Sequence, residues 1–336
     1  IEVRIKAVQG PGGLLESLVT ASAAAPLALP DLIALPRPLL ESAALKGLVY
    51  PYNTDSLTLD SEDWYGYARQ MGVLQTTQFG LPFAGDALVL IYRPDVLAPP
   101  QDWQALLEGG HLLVFPAADP NASVTLAFYL AQGGQLLDEQ GRPALTEGAL
   151  LNVLEYYQQA AAVNLMPFWL TQSQTDEQAW ATFTAEQHPQ LITWLSAYMA
   201  AQSAASANLA LAPLPNSGGT SFTLATGWTW ALASQDPLRR ELSTRLAEFL
   251  VDETFLGEWT QAAGYLPTRP EALKGWSNST LRSVGGQIAR SAQLIPAADV
   301  LANLGPVFEQ ATVSVLKAES APLSAVQAAL ERLSTP

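Results

Sequence analysis

Apolar residues come in short runs separated by polar or Gly/Pro-rich breaks, and the runs change period along the chain. Residues 1–5 (Ile-Glu-Val-Arg-Ile) alternate apolar and charged, so residues 3–8 read as a strand. Gly10-Pro11-Gly12-Gly13 is a turn, and residues 14–24 follow as a helix. Residues 32–35 form a short buried strand after Pro30-Asp31, and residues 38–46 a helix that stops at Gly47. This β-α-β-α opening favours a parallel sheet. Residues 55–64 are polar and acidic, hence loop. Gly80-Leu81-Pro82 then reads as a turn feeding a continuous apolar strand, residues 87–92, with Asp86 at its entrance. A buried strand tolerates a charge at its mouth only where water or a polar ligand waits.

The pattern continues with a helix from Trp103 to Leu107, ended by Gly109-Gly110, and a strand over 112–115 that runs into a polar loop. Residues 123–131 are helical. Thr146 is an N-cap for a long helix to Val163 with Leu150, Leu151, Leu154 and Tyr157 at helical spacing, and Asn164 closes it. A short helix over 179–183, a strand over 191–194, a polar link over 202–207 and a strand over 209–212 come next. Residues 223–233 form a second long apolar strand carrying Gly227, Trp228 and Trp230. Asp236-Pro237 caps a helix with Leu238, Leu242, Leu246 and Phe249 on one face. Thr254 caps another that ends at Gly264, and two or three helices finish the chain. The two long apolar strands lie about one domain's length apart, which interleaved lobes joined by crossing strands explain.

With 336 residues, 49% hydrophobic and 14% charged, the chain suits one or two globular domains with a large core. No apolar run reaches the ~18–20 residues of a membrane helix. The net charge of −15 repels nucleic acid and anionic membranes and discounts both as partners. With no cysteine, disulfides, thiolate metal sites and cysteine nucleophiles are excluded, and two histidines cannot build a multi-histidine metal site. No catalytic or nucleotide-binding signature is present, and no cofactor or metal is implied. The acidic run Asp60-Ser61-Glu62-Asp63 lacks the spacing of a calcium loop.

Several segments occur in the order of one family. Gly80 to Asp95 carries G-L-P-x-x-x-D-x-L-x-L-x-Y-x-x-D. Leu29 to Leu35 (L-P-D-L-I-A-L), Ala44 to Tyr52 (A-L-K-G-L-V-Y-P-Y), Ala131 to Asp138 (A-Q-G-G-Q-L-L-D), Thr223 to Ser234, and Ala262 to Arg269 (A-A-G-Y-L-P-T-R) accompany it. Together they resemble the family 1 extracellular solute-binding proteins, the sugar-type receptors of ABC importers, similar to maltose-binding proteins. The resemblance implies an α/β periplasmic-binding-protein type II fold: two α/β lobes around a cleft, joined by crossover strands. Carried over, lobe I is residues 1–84 and 231–285, and lobe II is 85–230 and 286–336. Residues 1–24 look like the family's second strand and helix, so the first strand–helix unit of lobe I is expected to be absent.

The resemblance also implies a role: a carbohydrate or similar polar solute bound in the cleft, a membrane ABC permease as partner, and no chemistry performed. It implies an extracellular or periplasmic monomer, lipid-anchored through a removed N-terminal segment. Expected ligand contacts are Asp86, Trp228, Trp230, Asn121, Trp194, Tyr198, Tyr265 and Arg37. Aromatic faces cover sugar C–H faces, while carboxylates, amides and arginine bind hydroxyls in planar pairs. Each has a plainer alternative: a strand-entry carboxylate for Asp86, core packing for one of Trp228 and Trp230, stacking on Trp259 for Tyr265, a solvated loop residue for Arg37. Ser123 reads as a helix N-cap, and Trp64, Trp169 and Trp276 as structural. Two rival functions remain. A carbohydrate-active hydrolase needs a second acid facing Asp86 across about 5–10 Å, and the sequence offers no candidate. A transport-inactive sensor or structural relative is the other.

Overall fold

The computed structural model describes residues 1–53, 63–203, 208–218 and 221–334. Helix α1 (Leu14–Ala24) leads to strand β1 (Leu32–Pro36) and helices α2 (Arg37–Leu45) and α3 (Gly66–Met71). A two-strand ribbon, β2 (Val73–Leu74) and β3 (Thr77–Gln78), precedes the long strand β4 (Gly80–Tyr92). Then come α4 (Trp103–Gly109), β5 (Leu113–Val114), α5 (Ser123–Ala131), α6 (Glu147–Ala162), α7 (Asp176–Ala185), β6 (Gln190–Trp194), α8 (Leu195–Ser203) and β7 (Ala210–Ala212). The second long strand, β8 (Thr223–Leu232), is followed by α9 (Pro237–Leu250), α10 (Glu253–Ala263), α11 (Pro270–Lys274), α12 (Ser279–Ser291), β9 (Ala292–Leu294), α13 (Ala298–Leu316) and α14 (Pro322–Ser334). None of the described helices is long and apolar enough to cross a membrane.

The chain divides into two compact units, residues 1–86 with 225–290 and residues 87–224 with 291–336. In the first, β1 lies antiparallel to β8 with Leu32 opposite Leu232 and Pro36 opposite Trp228. Its core joins Leu18 of α1, Leu35 of β1, Leu40 and Ala43 of α2, and Ala231 of β8. In the second, β4 is antiparallel to β6, Leu88 opposite Trp194 and Tyr92 opposite Gln190, and also to β7. β5 runs parallel to β6. Buried polar groups there find one another: Thr125 Oγ1 lies 3.0 Å from the Tyr157 hydroxyl and 2.8 Å from Thr312 Oγ1. Trp103 stacks on Tyr156 with ring centroids 4.4 Å apart.

Several expectations meet corrections. Residues 3–8 form no strand; Ile1, Val3 and Ile5 are 80–102% exposed. An alternating segment needs a neighbouring strand to become one, and none of the described residues pairs with it. Gly80-Leu81-Pro82 is not a turn but the start of β4, so Asp86 sits at the seventh of thirteen strand positions rather than at an entrance. Arg37 opens α2 instead of lying in a loop. Asp252, not Thr254, caps α10, accepting from the Thr254 N–H at 3.0 Å. Among the described residues four helices, not two or three, follow α10. The apolar stripe of α9 faces outward: Leu238, Leu242 and Phe249 are 62–73% exposed, while Ser243 and Ala247 are buried. Most of the acidic loop, including Asp60 to Glu62, lies outside the described residues.

One contact organises the first unit. The Gly85 N–H donates to the Leu266 carbonyl at 2.7 Å, and the Leu266 N–H donates back to Gly85 at 2.8 Å. A Cβ on Gly85 would lie 2.0 Å from the Tyr67 hydroxyl oxygen, so no larger residue fits without a shift. That hydroxyl is buried and finds no hydrogen-bond partner among the described residues. Gly85→Ala is therefore expected to destabilise the protein by about 1–3 kcal/mol in urea unfolding, as overpacking does. Tyr67→Phe, which removes only the unbonded hydroxyl, is expected to be neutral or stabilising and to relieve part of the Gly85→Ala cost in the double variant. Additive losses in that cycle would show that the two residues do not compete for the same space.

Candidate functional site

The Gly85–Leu266 bridge brings together residues far apart in sequence. Tyr265, next to Leu266, comes close enough to Asp86, next to Gly85, that the carboxylate's charge acts on its hydroxyl. The Trp228 indole N–H donates to the same hydroxyl. Burial pushes the Tyr265 hydroxyl up from its ordinary value, Asp86 adds to this, and the Trp228 hydrogen bond opposes it. Asp86 itself is 9% exposed. Tyr67 is raised as well, chiefly by burial and then by Tyr65 and Asp86. The first unit thus gathers three predicted contacts, Asp86, Trp228 and Tyr265, into one group with a carboxylate and two polar aromatic edges.

An aromatic series supports this group. Trp230 stacks on Phe83 with centroids 4.4 Å apart. Phe83 meets Trp259 edge-on at 5.3 Å, and Trp259 lies parallel to Tyr265 at 6.2 Å. Tyr265 therefore does pack on Trp259, and it is still half-exposed beside Asp86. Trp228 and Trp230, two apart on β8, are both half-buried, but Trp230 is bound into the stack and its buried indole N–H has no hydrogen-bond partner among the described residues.

Arg37 does not join the group. Its Nε donates to Glu41 at 2.7 Å, and its Nη1 to the carbonyls of Gln70, Met71 and Val73 at 2.7–3.0 Å. It ties the start of α2 to the end of α3. Trp64 and Trp276 are buried, Trp64 under the Arg269 guanidinium and Trp276 donating to Thr260. Trp169 stacks on His188.

The second unit holds another group. Trp194, the last residue of β6, is half-buried, and its indole N–H donates to Asp176 Oδ2 at 3.1 Å. Thr193 Oγ1 donates to Asp176 Oδ1 at 2.9 Å. Asp176 is the first residue of α7, whose N-cap is Thr175. Asn121 is exposed on the loop before α5, where Asp119 accepts from the N–H groups of Asn121 and Ser123 and from Ser123 Oγ. Ser123 thus donates to Asp119 instead of capping α5. Tyr198 stands apart: it is 5% exposed and its hydroxyl donates to the Leu209 carbonyl at 3.4 Å.

Asp176 and Asp119 were not singled out from the sequence. Thr175-Asp176-Glu177 ahead of an apolar run marks a helix start, and that signal was readable. The partnership of Asp176 with a tryptophan eighteen positions on was not. Burial pushes the Asp176 carboxyl up to about 6, with Asp119 adding to the rise and the Thr193 and Trp194 hydrogen bonds opposing it. The folded state therefore keeps a proton that the unfolded chain has lost, and this group's contribution to stability falls as pH climbs from 3.8 to about 6. The stability of the wild type minus that of Asp176→Asn, from urea unfolding at a series of pH values, is expected to drop over that window and level off above about 7. A difference that is flat or rises there would contradict the assignment.

Comparison with known proteins adds to this geometry. The family described as bacterial extracellular solute-binding protein matches residues 1–281. No curated protein matches. Among solved structures, the sugar-binding protein MalE from Xanthomonas citri is 19% identical, with 95% of this chain and 86% of that chain covered and a TM-score of 0.80. A cyclo/maltodextrin-binding protein complexed with maltotetraose, also 19% identical, covers 95% and 85% with a TM-score of 0.79. Maltose-bound MalE3 of T. maritima, again 19% identical, covers 95% and 87% with a TM-score of 0.74. These likenesses show the fold, that of the maltose-binding-protein-like periplasmic binding proteins. With the family match extending over most of its length, this chain belongs to the bacterial extracellular solute-binding proteins.

Proposed function

We propose that the chain is the solute-capturing component of an ABC importer, that its solute is a carbohydrate, and that a membrane permease is its partner. The observation that carries this reading is the Asp86–Tyr265–Trp228 group. A carboxylate accepts hydrogen bonds from adjacent sugar hydroxyls, and an aromatic face covers the C–H face of the ring. The acids Asp86, Asp119 and Asp176 favour a neutral solute over a phosphorylated one, and Arg37, the one cation among the expected contacts, is already bound to Glu41 and three carbonyls. Solute binding shifts the population toward the form that the permease engages. The neighbouring structures bound to maltose and maltotetraose guide the choice of test sugars.

A hydrolase reading has less support. Both oxygens of Asp176 accept from protein donors, and so do both oxygens of Asp119. A glycosidase acid must instead meet the glycosidic oxygen.

The test is a thermal-shift and calorimetry screen with maltose, maltotetraose, tagatose and a set of polyols. At least one is expected to raise the melting temperature. For that sugar, Asp86→Asn is expected to weaken affinity by roughly 10–100-fold, the value of one or two charge-assisted hydrogen bonds. Maltotetraose is expected to stay intact on long incubation. A screen with no stabilising solute, or release of shorter sugars, would overturn the proposal.

A further inference from the structure

Strand β6 ends in two residues whose side chains meet one carboxylate. Thr193 is fully buried and reaches Asp176 Oδ1; Trp194 reaches Oδ2. An indole has a single N–H, so the Asp176 bond takes the only strong polar handle on that ring. Trp194 is also the last ladder residue before α8 begins at Leu195. Asp176 in turn is held from behind, because it opens α7 and the Thr175 hydroxyl accepts from the Gln178 N–H. The carboxylate is therefore a fixed point, and the indole is oriented against it.

We propose that Asp176 is the positioning residue for Trp194: its carboxylate sets the orientation of the indole, and the hold of this unit on a solute follows the charge of that carboxylate. As an ionised group it offers an acceptor to each donor at once. Once protonated, one oxygen carries a hydrogen, accepts less well, and one of the two bonds weakens. The charges that act on Asp176 are Asp119, on the segment before α5, and Glu177, its neighbour on α7, and both are negative. Each favours the protonated form, which places the change where burial already puts it, near pH 6. The orientation of the indole stands on the hydrogen bonds alone; the effect on solute rests on the reading above that Trp194 contacts it.

The test uses the full chain labelled with ¹⁵N-tryptophan, with Trp194→Phe assigning the Trp194 indole N–H signal. That signal is expected to move sigmoidally with a midpoint near pH 6 in the wild type. In Asp176→Asn it is expected at a different position and flat with pH. Asp119→Asn, which leaves both bonds to Asp176 in place, is expected to move the midpoint downward and serves if Asp176→Asn fails to fold. A Trp194 signal that neither titrates nor moves in the variants overturns the positioning role, and no sugar is needed to see it. The solute half is read from maltotetraose affinity at pH 5 and pH 7.5. It is expected to differ several-fold in the wild type and to be equal at both values in Asp176→Asn. If the indole signal titrates while maltotetraose binds equally well at both pH values, the solute contact is overturned and the positioning role stands.

Discussion

The first unit depends on backbone approaching backbone with no side chain between. Gly85 and Leu266 exchange two hydrogen bonds, and Tyr67 lies over Gly85 where any Cβ would sit. At Gly227 of β8 a Cβ would lie 2.0 Å from the Ala84 carbonyl oxygen. These two glycines let β8 and the Leu266 segment close on the middle of β4. Everything assigned to ligand recognition in this unit hangs from that closure. Asp86 follows Gly85, Tyr265 precedes Leu266, and Trp228 follows Gly227. The residues proposed to meet the solute in this unit therefore sit beside its points of tightest packing, where a neighbour's geometry leaves each side chain little freedom.

The same closure leaves polar groups unbonded. The Tyr67 hydroxyl and the Trp230 indole N–H are buried with no hydrogen-bond partner among the described residues, each at a cost of about 1–3 kcal/mol. Both belong to aromatic rings packed against the group around Asp86. An aromatic wall of this kind needs large flat rings more than it needs their polar atoms satisfied. That ranking is the expected one for a binding surface, where shape and rigidity of the platform take precedence over the last increment of stability.

Helices and strands with strong period were legible in the sequence, and so was the family order of segments. Helix α1 spans the predicted residues, and Asn164 and Gly264 adopt the left-handed conformation expected of helix stops. What was not legible was set by neighbours. The stripe of α9 was visible as a stripe, but the choice between burying Leu242 or Ser243 belongs to the elements packed against the helix. Gly80-Leu81-Pro82 carries turn residues, yet tertiary pairing extends the strand through them. Residues 3–8 have the pattern of a strand and no partner to make one. At the site, the family resemblance pointed to Asp86, Trp228 and Tyr265, and a charge at the mouth of an apolar strand marked Asp86 as well. Arg37 was named from its place after β1 and Tyr198 from the resemblance, and only the fold shows that carbonyls at the end of α3 and of Val73, and that of Leu209, hold them.

Charge connects the two groups of candidate residues with the chain as a whole. A net charge of −15 sets up a field that disfavours anions everywhere on the surface. Asp86 in one unit, and Asp119 with Asp176 in the other, bring that sign into partly buried places where solvent screens it less. A phosphorylated solute would need a cation to offset this, and Arg37 already spans α2 and α3. A neutral polyhydroxyl solute would meet no such penalty, since hydroxyls donate to carboxylates and C–H faces pack on aromatic rings. Burial of Asp176 beside Asp119 then acts as a limit on how much negative charge this arrangement holds. Asp176 gives up its charge near pH 6, so the local charge adjusts to acidity, and the bonds that the carboxylate accepts from Thr193 and Trp194 respond to that change.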